Sequence, residues 1–216
     1  MQIVFIKHAK SENYETNKRQ APDSRLASIG KKQARLVANR IKKWQDASGN
    51  NFDYIITSHW ARAVETAEII AKKTGVPVRQ HHIIHEYLSN SILANQPLDS
   101  EIVLEWKKAV IEKGINFDWK FRGEGECMRD VINRAKAFKD DLINNYCGKN
   151  CLVVSHGLFI TTFVTLLILG DNYEDASFKY ISDMVQLENT SITHLEYDRE
   201  SNNWKIHYLN DFSHLK

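Results

Sequence analysis

The chain has 216 residues, 43% of them hydrophobic and 26% charged, which is enough for one substantial core and excludes pervasive disorder. Its 29 basic residues nearly balance 27 acidic ones, giving a formal net charge of +2. That balance excludes the electrostatic footprint of a nucleic-acid binder or of a protein drawn to an acidic membrane.

Gln2 to Ile6 is short, apolar and β-branched, and predicts a buried strand. Lys7-His8 follows at once, where a secretory signal needs a longer apolar region. A polar loop is expected from Lys10 to Arg25. Ser28 is read as the N-cap of a helix whose buried face carries Ala34, Val37, Ala38, Ile41 and Trp44, with the turn-rich stretch Asp46–Asn51 ending it. Tyr54 to Thr57 predicts a second strand, and Arg62 to Lys73 a second helix stopped by Gly75. Residues 80–125 read as an irregular region with one helix around Ser100–Lys113, an insertion placed to cover a substrate. Val131, Ala135, Phe138 and Leu142 mark a further amphipathic helix. Cys151 to Ser155 is a strand, and Gly157 opens an apolar helix over Leu158–Leu169, too short for a membrane span. Ser191–Tyr197 and Trp204–Tyr208 close the chain as two strands joined by a turn at Glu200–Asn203.

Strands alternate with helices, and neither a linker nor a repeat interrupts them. The expectation is a single domain over 1–216, a three-layer α/β/α sandwich with a mostly parallel sheet and helices on both faces. Three cysteines without a CxxC pair argue against a disulfide framework or a structural zinc site. A soluble cytoplasmic protein is expected.

In such sheets ligands bind beyond the carboxyl ends of the strands. His8 directly follows the first strand, His156 directly follows Cys151–Ser155, and Arg62 lies in the first helical turn after Tyr54–Thr57. Two imidazoles, a guanidinium and Lys7 on one rim form a site suited to a dianionic phosphate. His81, His82 and His85 lack carboxylates at ligand spacing, so a solvated loop is expected there rather than a metal centre.

The opening MQIVFIKHAKSEN resembles that of the histidine phosphatase superfamily, the phosphoglycerate mutase-like family, whose hallmark is a strand ending in Arg-His-Gly. Further similarities follow in order: Leu26, Gly30, Gln33 and Ala34; Ser58, Arg62, Ala63, Thr66 and Ala67; His85-Glu86; Gly125-Glu126 with Arg134; Val153-Val154-Ser155-His156-Gly157; and the ending Asn210-Asp211-Phe212-Ser213-His214-Leu215. The resemblance implies that His8 accepts the phosphoryl group. It implies that Lys7, Arg62, His156 and Asn13 bind the phosphate, and that Glu86 is the general acid and base. Glu124 and Glu126 stand as alternative acids.

Neither a cofactor nor a metal is called for, and the expected partner is a small phosphorylated substrate or a phosphoprotein, with no nucleic acid or membrane. The implied activity is a phosphatase; the alternatives are a phosphoglycerate mutase-type phosphotransferase and a catalytically impaired phosphate-binding interaction protein. Four departures bear on the choice. Lys7 replaces arginine and loses its planar fork. Ala9 replaces glycine and adds a Cβ to a tight turn. His59-Trp60 replaces Pro-Leu, and no glycine closely follows Glu86.

Overall fold

The computed structural model describes residues 1–49 and 51–216. Three short apolar runs form its centre: β1 (Gln2–Lys7), β2 (Tyr54–Ser58) and β4 (Cys151–Ser155). Side chains alternate across a strand, so a run apolar at every position must be covered on both sides. Val4, Ile6, Ile55, Leu152 and Val154 face one layer, made by α2 (Ser28–Ser48) and α3 (Ala61–Thr74) through Val37, Ala38, Ile41, Ala63, Ala67 and Ile70. Ile3, Phe5, Ile56, Cys151 and Val153 face the other, made by α5 (Met128–Asn145), α6 (Gly157–Leu169) and α7 (Asp175–Met184) through Phe138, Leu142, Phe159, Phe163 and Phe178. The result is the α/β sandwich expected from the alternation of elements.

The sheet order is β3-β2-β4-β1-β5-β6, with β3 spanning Val78–His81, β5 Ile192–Asp198 and β6 Asn203–Asp211. The pairings β3–β2, β2–β4 and β4–β1 are parallel; β5 is antiparallel to β1, and β6 to β5. No helix among the described residues is long and apolar enough to cross a membrane. All three cysteines are free thiols.

Several boundaries differ from the sequence expectation. The cap of α2 is Ala27, whose N–H donates to the Lys10 carbonyl at 3.0 Å, and Ser28 is already helical. The helix runs through Asp46 to Ser48 and stops where Gly49 turns left-handed at φ 65°. Three elements carry no apolar signature in the sequence. The edge strand β3 has three of its four residues exposed, α1 (Glu12–Glu15) is a single turn inside the polar loop, and α7 fully buries only Phe178.

Between β3 and α5 the chain builds a small separate cluster. Leu93, Val103 and Phe121 are its buried centre, with Trp106 on α4 (Glu101–Lys113) and Trp119 packed against it. Such satellite clusters form under long connections and hold them in place.

Close backbone approach fixes the loop after β1. A Cβ built on Gly30 would lie 2.0 Å from the Lys10 carbonyl oxygen, so α2 reaches this loop only with glycine there. We expect Gly30→Ala to destabilise the protein by about 2 kcal/mol, as overpacking does. Urea unfolding would show this as a lower midpoint at unchanged slope; an unshifted midpoint would contradict it.

Candidate active site

Strand register brings the site together. Lys7 lies opposite Ser155 in the β1–β4 pair, so His8 and His156 occupy the next position on each chain. Their rings are 5.0 Å apart between centroids. Thr57 lies opposite Val154, which sets the end of β2 beside them, and α3 then starts at Ala61 with Arg62 in its first turn. Thus three strand ends bring the three candidate side chains to one rim, as the sequence pattern implied.

His8 is held on several sides. Its backbone N–H donates to Ser155 O at 2.8 Å, and its carbonyl accepts from Asn189 Nδ2 at 2.9 Å. Its Nδ1 lies 2.8 Å from the Ala9 carbonyl, which can only accept, so the ring proton is on Nδ1. Nε2 then carries a lone pair, and Arg62 Nε donates to it at 3.1 Å. Arg62 Nη1 donates to Ala21 O at 2.9 Å, while Nη2 has no partner among the described residues. Arg62 is completely buried, and no carboxylate among the described residues pairs with it. His156, also completely buried, shares a 2.9 Å hydrogen bond between Nε2 and Ser58 Oγ, and its Nδ1 is unpartnered.

Both imidazoles have pKa values pushed well below the ordinary histidine range. For His8 the causes are burial, then the charge of Arg62, with Lys7 a smaller one and the Ala9 carbonyl opposing them. For His156 they are burial, Arg62 and His8. Arg62 itself is lowered by burial to about 10 and stays charged at neutral pH.

Glu86 reaches the site from the segment after β3. Its carboxylate accepts from Tyr87 N–H at 3.0 Å and from Leu158 N–H, in the first turn of α6, at 3.3 Å. Lys7 Nζ donates to Leu187 O at 2.7 Å and stands near Glu86 and Glu188, whose charges oppose the lowering of its pKa by burial. The other acids are engaged elsewhere. Glu126 makes a two-point pair with Arg134 at 2.7 and 2.9 Å and accepts from Leu88 N–H; Glu124 accepts from Ser91 Oγ. Arg134 also donates to the carbonyls of Ile83 and His85, so this pair frames Glu86 from behind.

Asn13 is not brought to the histidines. Its Nδ2 donates to Arg19 O at 2.8 Å and to Asn95 Oδ1 at 2.6 Å. Two residues that sequence reasoning left out lie at the site instead. The Trp60 ring meets His156 edge-on at 5.2 Å, stacks on His85 at 5.5 Å and lies 4.7 Å from the Arg62 guanidinium. The Arg19 guanidinium lies 4.2 Å from the Trp106 ring, close enough to Glu86 to feel its charge. Trp60 was visible only as a departure next to Arg62, and nothing local marks Arg19. The Ala9 Cβ causes no strain: it is fully buried in a small cluster with Leu26 and Ala34, and Ala9 N–H donates to Thr66 Oγ1. The histidines after Arg79 do not lie in the solvated loop expected: His81 ends β3 and bonds Asp141, His82 is exposed, and His85 is partly buried and bonds the Glu86 carbonyl. Among the described residues no group of three or more His, Cys, Asp or Glu is arranged to hold a metal ion.

The family model of the histidine phosphatase superfamily (branch 1) matches residues 3–211. The chain belongs to this superfamily. Its sequence relatives include proteins named probable phosphoglycerate mutase GpmB. That of Yersinia enterocolitica is 28% identical over 222 residues, covering 100% of this chain and 95% of the relative. That of Photorhabdus laumondii is 29% identical with the same coverage. Among solved structures, a putative alpha-ribazole-5'-P phosphatase from Escherichia coli superposes with a TM-score of 0.78 at 17% identity, over 98% of this chain and 96% of the other. A phosphoserine phosphatase from Entamoeba histolytica in complex with 3-phosphoglyceric acid gives 0.75 at 24% identity, over 100% and 99%. These structures share the fold.

Two buried neutral histidines make stability depend on pH. The unfolded chain takes up protons below about pH 6.5 while the folded site refuses them, so stability is whole above that value and falls as pH drops. The expected slope is about 1.4 kcal/mol per pH unit for each histidine. Urea unfolding between pH 7 and pH 5 checks this, with His156→Gln expected to lessen the slope; a flat profile would contradict the buried, neutral state of the rings. Removing Arg134 should cost about 2 kcal/mol, because it leaves the partly buried Glu126 carboxylate without its counter-charge. Thermal unfolding of Arg134→Met reads this loss directly.

Proposed function

We propose that the protein is a phosphatase that hydrolyses a phosphate monoester through a phosphohistidine on His8. The observation that carries this reading is the Nδ1–H contact to the Ala9 carbonyl, which leaves a neutral ring with its Nε2 lone pair facing a buried guanidinium that forms no ion pair among the described residues and feels the Glu86 carboxylate only from a distance. A buried cation with an open donor calls for an anion, and a neutral imidazole beside it is the matching nucleophile.

Substrate binding breaks one contact. Arg62 Nε covers the lone pair that must attack, so a phosphate oxygen has to take over that donor. With Ser58 Oγ donating to His156 Nε2, the ring proton sits on Nδ1, where it and Arg62 Nη2 are two donors awaiting oxygens. Lys7 adds a point charge. The Nε2 lone pair of His8 forms the P–N bond as the P–O ester bond breaks, and Glu86 in its acid form protonates the leaving oxygen. Glu86 then takes a proton from the water that attacks phosphorus; the P–N bond breaks and its electron pair returns to His8. All the charge handling is done by side chains, and the reading needs no metal or cofactor. Residues 80–125 act in it as the cover over the ester, and the reading takes the enzyme to be cytoplasmic, in keeping with a sequence that offers no disulfide framework.

The names of the sequence relatives favour a second reading, a mutase that returns the phosphoryl group to product. Release of free phosphate from 3-phosphoglycerate, measured beside its isomerisation, separates the two. The proposal requires hydrolysis of p-nitrophenyl phosphate or of members of a phosphometabolite panel, with loss to below about 10⁻⁴ in His8→Ala and a loss of about 10²-fold in Glu86→Gln. Turnover that survives in His8→Ala would sink it, as would tight phospholigand binding without turnover.

A further inference from the structure

A cleft of about 450 Å³ opens beside the site, with Glu86 and Trp60 on its inner wall. Its other walls include Trp106, Phe117 and Trp119 from the segment over the sheet, and Arg19 and Lys113. Its size falls within the ~300–1,000 Å³ of pockets that enclose drug-sized ligands, so a three-carbon acid would leave most of it empty. Five aromatic side chains, Tyr87 among them, line the cleft and suit a flat ring system, since stacked and edge-on contacts are their favoured geometries.

Polar groups sit in a defined place within this apolar wall. The Arg19 guanidinium is stacked on Trp106, and both Arg19 Nε and Trp106 Nε1 are buried donors without partners among the described residues. No carboxylate among the described residues forms an ion pair with Arg19 or Lys113. Buried donors left unpaired are costly, and a pair of them beside two cations that form no ion pair, one of which feels Glu86 only from a distance, asks for an anionic acceptor. The Arg19 backbone is pinned for this role: its N–H donates to Gln96 O at 2.8 Å, and its carbonyl accepts from Asn13.

Resting on the phosphatase reading, we infer that this cleft is the leaving-group subsite, and that the substrate is a phosphate monoester of an aromatic alcohol carrying a second acidic group bound by Arg19. The phosphate sits at His8, the ring system lies among Trp60, Trp106, Phe117 and Trp119, and the acid meets the Arg19–Trp106 stack.

Primary-alcohol esters test this without differences in leaving-group chemistry. Naphthylethyl phosphate, with the ethyl phosphate arm on the β-carbon of the ring, should be hydrolysed with a kcat/KM about 100-fold above that for glycerol 3-phosphate. A carboxylate on the far ring of the naphthyl group should add about tenfold more, and Arg19→Gln should erase that addition. Trp106→Leu should lower kcat/KM for the naphthyl ester about tenfold more than for the glycerol ester, with Trp119→Leu as the second variant if the first does not fold. Equal kcat/KM for the two plain esters overturns the subsite while leaving the phosphatase standing, and a carboxylate without effect overturns the role of Arg19. If neither ester is hydrolysed while p-nitrophenyl phosphate or a panel member is, the subsite is overturned. If none of them is hydrolysed, the phosphatase reading fails and the cleft is tested alone by calorimetry with naphthylethyl and propyl phosphonate: tenfold tighter binding of the first supports it, and equal binding overturns it.

Discussion

The structure turns on a cation with nowhere to discharge. Arg62 is completely buried, its neighbours are a neutral imidazole and a carbonyl oxygen, and no carboxylate among the described residues pairs with it. Burial of a charge without an ion pair is costly, and the Glu86 carboxylate offsets it only from beyond contact distance. Here it is tolerated because the surrounding groups accept hydrogen bonds and because Trp60 offers its ring to the guanidinium. Burial depresses the pKa of both histidines most, and the same charge adds to it. One residue thereby sets the anion demand of the site and reinforces the neutrality that burial gives its imidazoles.

The fold exists around this point in a specific sense. Both strands are apolar on both faces, so parallel register between β1 and β4 is fixed by shape: a slip by one residue would exchange Cys151 and Val153 with Leu152 and Val154 between layers packed around side chains of other sizes. Because the functional residues directly follow those strands, the packing energy of the core also fixes the 5.0 Å spacing of the two rings. Long-range hydrogen bonds lock the remainder: Ser155 O and Asn189 on the backbone of His8, Thr66 on Ala9, and the Glu126–Arg134 pair behind Glu86. These partners come from distant parts of the chain, so the site forms only when the whole sheet does.

This division explains what could be read in the sequence. The strands of the core and the helices on them were legible because both are written in local apolar periodicity. His8, His156 and Arg62 were legible because a residue just past a buried strand must emerge at the sheet edge. Position along the chain does not tell where a polar side chain turns, and so Asn13, which resembles a phosphate ligand in its motif, holds Arg19 and Asn95 instead. Arg19 and Trp106 are far apart along the chain, and their stack is a product of tertiary packing alone. The strand β3 was missed because an edge strand with mostly exposed side chains has no apolar pattern to show.

The altered motif around His8 now has a physical meaning on each side. Ala9 is accommodated without strain: its Cβ completes an apolar contact with Leu26 and Ala34, and the backbone approach that demands a glycine occurs instead at Gly30. Lys7 keeps a positive charge at the rim but is tethered to the Leu187 carbonyl and stands near Glu86 and Glu188, so its hold on a phosphate is that of a point charge shared with two acids. A site that grips the phosphoryl group with one forked cation rather than two gains less from that group and relies more on the rest of the ester. The large aromatic cleft that begins at Glu86 is where such binding energy is available, and binding realised away from the reacting atoms serves catalysis by orienting them. In the proposed reading, a phosphate held by one forked cation and a leaving-group cleft lined with aromatic rings are consistent parts of one arrangement, in which selectivity rests on the alcohol as well as on the phosphate it carries.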